Sequence, residues 1–120
     1  MAVTFLSIGL VVGAEKKDYY EFTESDARAY VAQVKKGEHH DVRKLREMVQ
    51  NKETAIALAV AVWSPIYGKE KIEKEAPYQV IRVDDYWVVT GSLKKGWMGG
   101  TAQAVINASD GCFLNVTHGQ

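Results

Sequence analysis

A chain of 120 residues has room for one hydrophobic core, and 47% apolar with 25% charged residues is the balance of an ordinary globular domain. Fifteen Lys and Arg against fifteen Asp and Glu leave no net charge. That excludes a bulk electrostatic footprint for nucleic acid or anionic lipid, so any partner is recognised by shape and local patches.

Residues 1–14 carry no charge, and Val3-Thr-Phe-Leu-Ser-Ile-Gly-Leu-Val-Val12 has the apolar character of a secretory signal. Val12-Gly13-Ala14 places small or branched residues where a signal peptidase reads, and Glu15-Lys-Lys-Asp18 follows at once. The basic start of such a signal is missing, and the run is too short to cross a bilayer as a helix. The expectation is a signal-like segment over 1–14 and one domain over 15–120. The protein is then periplasmic or secreted, or cytoplasmic if the segment stays in place.

Residues 15–22 read as an irregular lead-in. Thr23 or Ser25 can cap a helix that carries Ala27, Tyr30, Val31 and Val34 on one face and stops at Gly37. A second amphipathic helix is expected from Asp41, with Val42, Leu45 and Val49 on one side. The most apolar helix starts from a cap at Asn51 and runs to Trp63, where Ser64-Pro65 is expected to stop it. So broad an apolar face belongs to a helix lying in the concavity of a sheet. The run Lys69-Glu-Lys-Ile-Glu-Lys-Glu75 reads as a solvated connection.

Strands follow. Residues 78–83 and 86–93 form a hairpin around Asp84-Asp85, with Tyr78, Val80, Trp87 and Val89 on one face and Ile81, Val83, Tyr86 and Val88 on the other. Residues 94–100 are a loop bearing Trp97. Residues 101–107 and 112–118 form a second hairpin, turned by Ala108-Ser-Asp-Gly111. Its alternation sets Ala102, Ala104 and Ile106 on a core face and leaves Gln103, Phe113, Asn115 and Thr117 on a mixed polar and aromatic face. The fold class is α+β: helices first, then hairpins of a curved antiparallel sheet. Trp63 and Trp87 fall at core positions, and the single cysteine, Cys112, reads as a small buried strand residue.

Catalytic signatures are weak. Glu38-His39-His40-Asp41 is dense in possible ligands but has no spaced third ligand, so no metal is expected. His118 as a general base needs a carboxylate that the sequence does not identify. Gly96-Trp-Met-Gly-Gly-Thr101 lacks the phosphate-loop spacing and leads into a strand. No nucleophilic triad is spelled out, so no catalytic residue and no cofactor is assigned.

Several short motifs, in order, carry a resemblance: Ala-Val-Trp63-Ser-Pro65-Ile-Tyr67-Gly68, Ala-Pro77-Tyr78, Asp-Asp-Tyr-Trp87-Val-Val-Thr-Gly91-Ser-Leu93, Gly99-Gly100, Ser-Asp110-Gly111 and Thr-His118-Gly119. Over residues 51–120 the chain resembles bacterial immunity proteins with a nuclear-transport-factor-2-like fold. The resemblance implies a cone-like fold with helices packed on the curved sheet. It also implies a non-enzymatic role, in which a cognate polymorphic toxin is bound and occluded. The partner is then a toxin protein, with no nucleic acid and no stable membrane association after export. Contact residues are expected on the mixed face and the adjacent loop, namely Tyr86, Trp97, Gln103, Phe113, Asn115 and Thr117. The alternatives are an isomerase, hydratase or small-molecule binder of the same fold, which needs an inward acid, or a periplasmic accessory binding domain.

Overall fold

A computed structural model describes residues 18–119. The chain divides into two compact units, Met1–His40 and Asp41–Gln120.

In the first unit, helix α1 spans Glu24–Lys35. Thr23 caps it through a reciprocal box: its hydroxyl accepts from the Asp26 amide, and the Asp26 carboxylate accepts from the Thr23 amide. The residue at the third helical position is aspartate, one methylene shorter than the usual glutamate, and it closes the box all the same. The His39 ring packs edge-on against Tyr30, and its Nε2 lies 2.6 Å from Gln33 Oε1, so this histidine belongs to the turn that follows α1.

The second unit opens differently from the sequence expectation. The helix expected from Asp41 shrinks to one 3-10 turn, Val42–Lys44, capped by the Asp41 side chain. The reason is tertiary. The amides of Met48 and Val49 donate to the Ala108 carbonyl at 3.1 and 3.0 Å, which takes them out of any helical ladder. Val49 is fully buried, while Leu45 and Val42 remain exposed.

Helix α2, Lys52–Tyr67, begins at the Asn51 cap, as expected, but passes through Pro65. A proline in the last turn forfeits only one intrahelical bond, to the Ala61 carbonyl, and the helix tolerates that. The break falls at Gly68, whose φ of 102° is open to glycine but strained for other residues. A short helix α3, Lys69–Glu73, follows inside the charged run. Its Ile72 is wholly buried, so this segment is a docked element and not a solvated connection.

Strands β1 (Gln79–Val83), β2 (Tyr86–Thr90), β3 (Ala102–Asn107) and β4 (Phe113–His118) form one antiparallel sheet in sequential order. The first hairpin has the expected register, with Val83 opposite Tyr86 and Asp84 at φ 52°. One face of the sheet, with Val89, Trp87, Ala102, Ala104 and Ile106, packs with Ala55, Ala59 and Trp63 of α2 in a single core. Alanines at these α2 positions let the helix backbone approach the strands closely. Trp63 and Trp87 are buried as expected, and each indole finds an acceptor: Nε1 of Trp63 donates to the Gln103 carbonyl at 3.2 Å, and that of Trp87 to the Val49 carbonyl at 2.8 Å.

Candidate functional site

Two features stand out on the second unit: an interior carboxylate at one end of the sheet, and the sheet face turned away from α2.

The carboxylate is Glu75, just after α3. Its Oε1 accepts from the Ala102 amide at 2.8 Å, and its Oε2 lies 2.7 Å from His118 Nε2. Both side chains are only 12–13% exposed. The Glu75 carbonyl accepts from the Ser92 amide at 2.7 Å. One residue therefore ties the end of α3 to the segment after β2, the start of β3 and the end of β4. Gly91 makes this possible, because a Cβ there would overlap the Glu75 side chain. The Tyr67 ring stacks obliquely on His118, with centroids 5.2 Å apart. Tyr78 donates to the Ile72 carbonyl at 2.8 Å, and burial, then the charges of Glu73 and Glu75, push its phenol above the ordinary value.

This is the inward acid and partner histidine that an enzyme of this fold would need, and neither was paired with the other in the sequence. Each member of the pair is also tied to the backbone. His118 Nδ1 lies 2.8 Å from the Gly119 carbonyl, which can only accept, and Nε2 faces Glu75. Both ring nitrogens are occupied, and Glu75 spends one oxygen on a backbone amide. These contacts make the pair a latch between the end of α3 and strands β3 and β4.

Beside the latch lies a cavity of about 450 Å³ whose lining includes Lys74, Glu75, Ser92, Lys94, Trp97 and Thr101. Ser92 is held by Gln79 Nε2 at 3.0 Å and itself donates to the Pro77 carbonyl. The Lys94 ammonium sits 5.6 Å from the Trp97 ring centroid. Trp97 and Met98 are exposed.

The outer sheet face gathers four of the six expected contact residues. The pairings Thr90↔Gln103, Gln103↔Thr117, Val105↔Asn115 and Tyr86↔Asn107 put Tyr86, Gln103, Asn115 and Thr117 on one side. Tyr86 and Gln103 are separated along the strand direction by about 13 Å at the usual rise per residue. Ile81, Val83, Val88 and Val105 complete the face, and Ile81 and Val83 are exposed. Trp97 lies instead on the loop beside the cavity. Phe113 leaves the set. A bulge between Val105 and Ile106 pairs Ile106 with Phe113 and leaves Leu114 as the extra residue, so Phe113 turns to the core and Leu114 is exposed.

At the other end of the sheet, Arg82 forks onto both Glu47 carboxylate oxygens at 3.1 and 2.7 Å, and its guanidinium stands 5.2 Å from the Trp87 ring centroid. The hydrogen bonds from Arg82 hold Glu47 below the usual carboxylate range. Cys112 is exposed and precedes β4, contrary to the buried position expected; the loop geometry set by the Asp110 carboxylate, which accepts from the Cys112 amide at 2.9 Å, turns it outward. Hydrogen bonding and charge from Asp110 push its thiol up. Among the described residues no cluster of His, Cys, Asp and Glu could hold a metal, and no helix is long and apolar enough to cross a membrane. The signal-like segment over 1–14 lies outside the described residues.

A long helix laid on one face of a sequential four-stranded antiparallel sheet defines an α+β fold. Residues 54–120 match the family described as "NTF2 fold immunity protein", and the chain belongs to that family. It is 34% identical over 77 residues to the uncharacterized protein YhhH of Escherichia coli (strain K12), covering 63% of this chain and 61% of that protein. It is 35% identical over 81 residues to the uncharacterized protein YbbC of the same organism, covering 67% of this chain and 66% of that protein. The chain thus spans a little under two-thirds of the length of these curated relatives. No solved structure matches it significantly.

Proposed function

We infer that the chain is a non-catalytic antitoxin that binds a cognate polymorphic toxin and blocks it by occlusion, without a cofactor. The carrying observation is the match to an immunity-protein family across residues 54–120, a stretch that contains nearly all of α2 and every strand. The contact surface is the outer sheet face, with Tyr86, Gln103, Asn115 and Thr117, together with Trp97 on the neighbouring loop. That face mixes exposed aliphatic groups with amides and a tyrosine, the makeup of a protein-binding patch. The locked Glu75–His118 pair weighs against an isomerase or hydratase.

The test is capture of partners by the full tagged chain from source cells that express toxin, followed by co-expression of the captured toxin domain with the chain. Growth rescue by the wild-type protein, weakened when Tyr86, Gln103 and Thr117 are changed together to alanine, is the expected result. Rescue that ignores these substitutions would move the interface elsewhere. Failure to rescue against any captured toxin would remove the antitoxin role. Export through residues 1–14 places the encounter in the periplasm or outside the cell, whereas retention of that segment places it in the cytoplasm. N-terminal sequencing of the protein from each cell fraction separates the two.

A further inference from the structure

We propose that the cavity under the 94–101 loop is the seat of an acidic anchor residue, flanked by apolar neighbours, on a loop of the toxin. This rests on the antitoxin reading and gives the partner a chemistry.

The described lining of the cavity carries more positive than negative groups: Lys74 and Lys94 against Glu75. Lys74 and Lys94 both line it, and neither meets a carboxylate among the described residues. Among the described residues the one carboxylate in the lining is that of Glu75, whose oxygens meet the Ala102 amide and His118. Its two oxygens are thus directed at these partners and not at either ammonium group. An incoming carboxylate therefore finds two ammonium groups that have no carboxylate in contact among the described residues, one of them beside the Trp97 ring.

The walls are equally informative. Ser92 is fixed by Gln79 and Pro77, and the Thr101 hydroxyl lies 3.0 Å from that of Thr90, so these polar groups are positioned in advance. Trp97 offers a ring face next to the Lys94 ammonium. Leu93 and Trp97 of the lining, and Met98 next to Trp97 in the chain, are nonetheless exposed and form an apolar rim. A free metabolite filling the cavity would leave this apolar rim bare. A protein loop that inserts an acidic side chain would cover the rim with its neighbouring residues, which decides for a protein over a small molecule.

The experiment uses the full chain and two capped tripeptides, one with glutamate between two leucines and its glutamine counterpart, titrated to millimolar concentration and followed by amide and indole NMR signals. 3-Phenylpropanoate serves as a free-acid probe. The glutamate peptide should shift the signals of residues 92–101 and the Trp97 indole, with the glutamine peptide about tenfold weaker. The Lys74→Glu, Lys94→Glu double variant, altered only at exposed lysines, should abolish that preference. Equal binding of the two peptides, shifts confined to another face, or no binding would overturn the proposal. 3-Phenylpropanoate binding more tightly than the glutamate peptide would overturn the protein source in favour of a small acid. Protection from toxin without peptide binding overturns the cavity and leaves the antitoxin reading standing; peptide binding without protection overturns the toxin as the source.

Discussion

Replacing Glu75 by alanine should be among the most damaging single changes outside the apolar core. Two polar groups lose their partners at once: the Ala102 amide, held at 2.8 Å, and His118 Nε2, held at 2.7 Å. Leaving a buried donor unsatisfied costs about 1–3 kcal/mol for each group. Two groups together give about 2–6 kcal/mol; both side chains of the pair retain 12–13% exposure, so water reaches part of the gap, and the sum belongs in the lower half, about 3 kcal/mol. That is a large share of the roughly 5–15 kcal/mol that holds a small domain folded. With a urea slope of about 1.5 kcal/mol per molar, the midpoint should fall by about 2 M. Buried Trp63 and Trp87 supply the fluorescence signal. Glu75→Gln keeps an acceptor for the Ala102 amide and should cost about half as much. Gly91→Ala forces a Cβ into the Glu75 side chain, so it should destabilise the wild type strongly and the Glu75→Ala protein much less. If Glu75→Ala shifts the midpoint by less than about 0.3 M, or if the two substitutions simply add, the latch is not what joins α3 to the strands.

The Glu47–Arg82 fork should show in the acid limb of stability. Arg82 holds the folded-state Glu47 carboxyl below its ordinary value. Its contribution is therefore complete above the usual carboxylate range and is lost as pH falls through the lowered folded value. Glu47→Gln should flatten that part of a stability-against-pH curve, and an unchanged curve would show the fork to be inert. Arg82→Ala should cost more than Glu47→Gln near neutral pH, because it also removes the cation from the Trp87 face. Cys112 is exposed yet should react slowly with iodoacetamide near pH 8, since Asp110 disfavours its thiolate; Asp110→Asn should speed the reaction, measured by mass spectrometry over time. Trp97→Ala should change stability by less than about 0.5 kcal/mol in thermal unfolding, as expected of an exposed loop residue outside the core.

Where the chain's own neighbours decide a structure, the sequence was readable. Thr23 and Asn51 cap their helices through side chains that reach amides three residues on, and the Asp84-Asp85 turn sets the register of the first hairpin. Alternation placed the core face of β2 and β3 for the same reason. The errors share the opposite cause. Residues 41–50 have the spacing of a helix, but Met48 and Val49 are claimed by a carbonyl some sixty residues away in the chain, at Ala108. Pro65 carries a strong stop signal, yet near a helix end it forfeits a single bond, and the stop waits for Gly68. Phe113 changed faces because one bulge shifts the two-residue period by a step, and nothing in the alternation of β4 marks where the extra residue falls.

The latch shows the limit most clearly. Glu75 is the last member of a run of alternating Lys and Glu, and its local chemistry matches that of Glu70 and Glu73. What singles it out is contact with partners 27 and 43 residues further on, together with a glycine whose missing side chain makes room. One signal was available: Gly91 interrupts a β-rich run immediately after Thr90, and a glycine in such a place often marks the close approach of another group. The outer face is legible in another sense. Its residues are set by strand alternation, and Gln103, Asn115 and Thr117 are exposed there, outside the core. On the proposed reading, Ala59, Trp63, Glu75 and Gly91 serve the integrity of the scaffold, and Tyr86, Gln103, Asn115 and Thr117 serve the partner. Substitutions in the first group should therefore lower stability and binding together, whereas those in the second should lower binding alone.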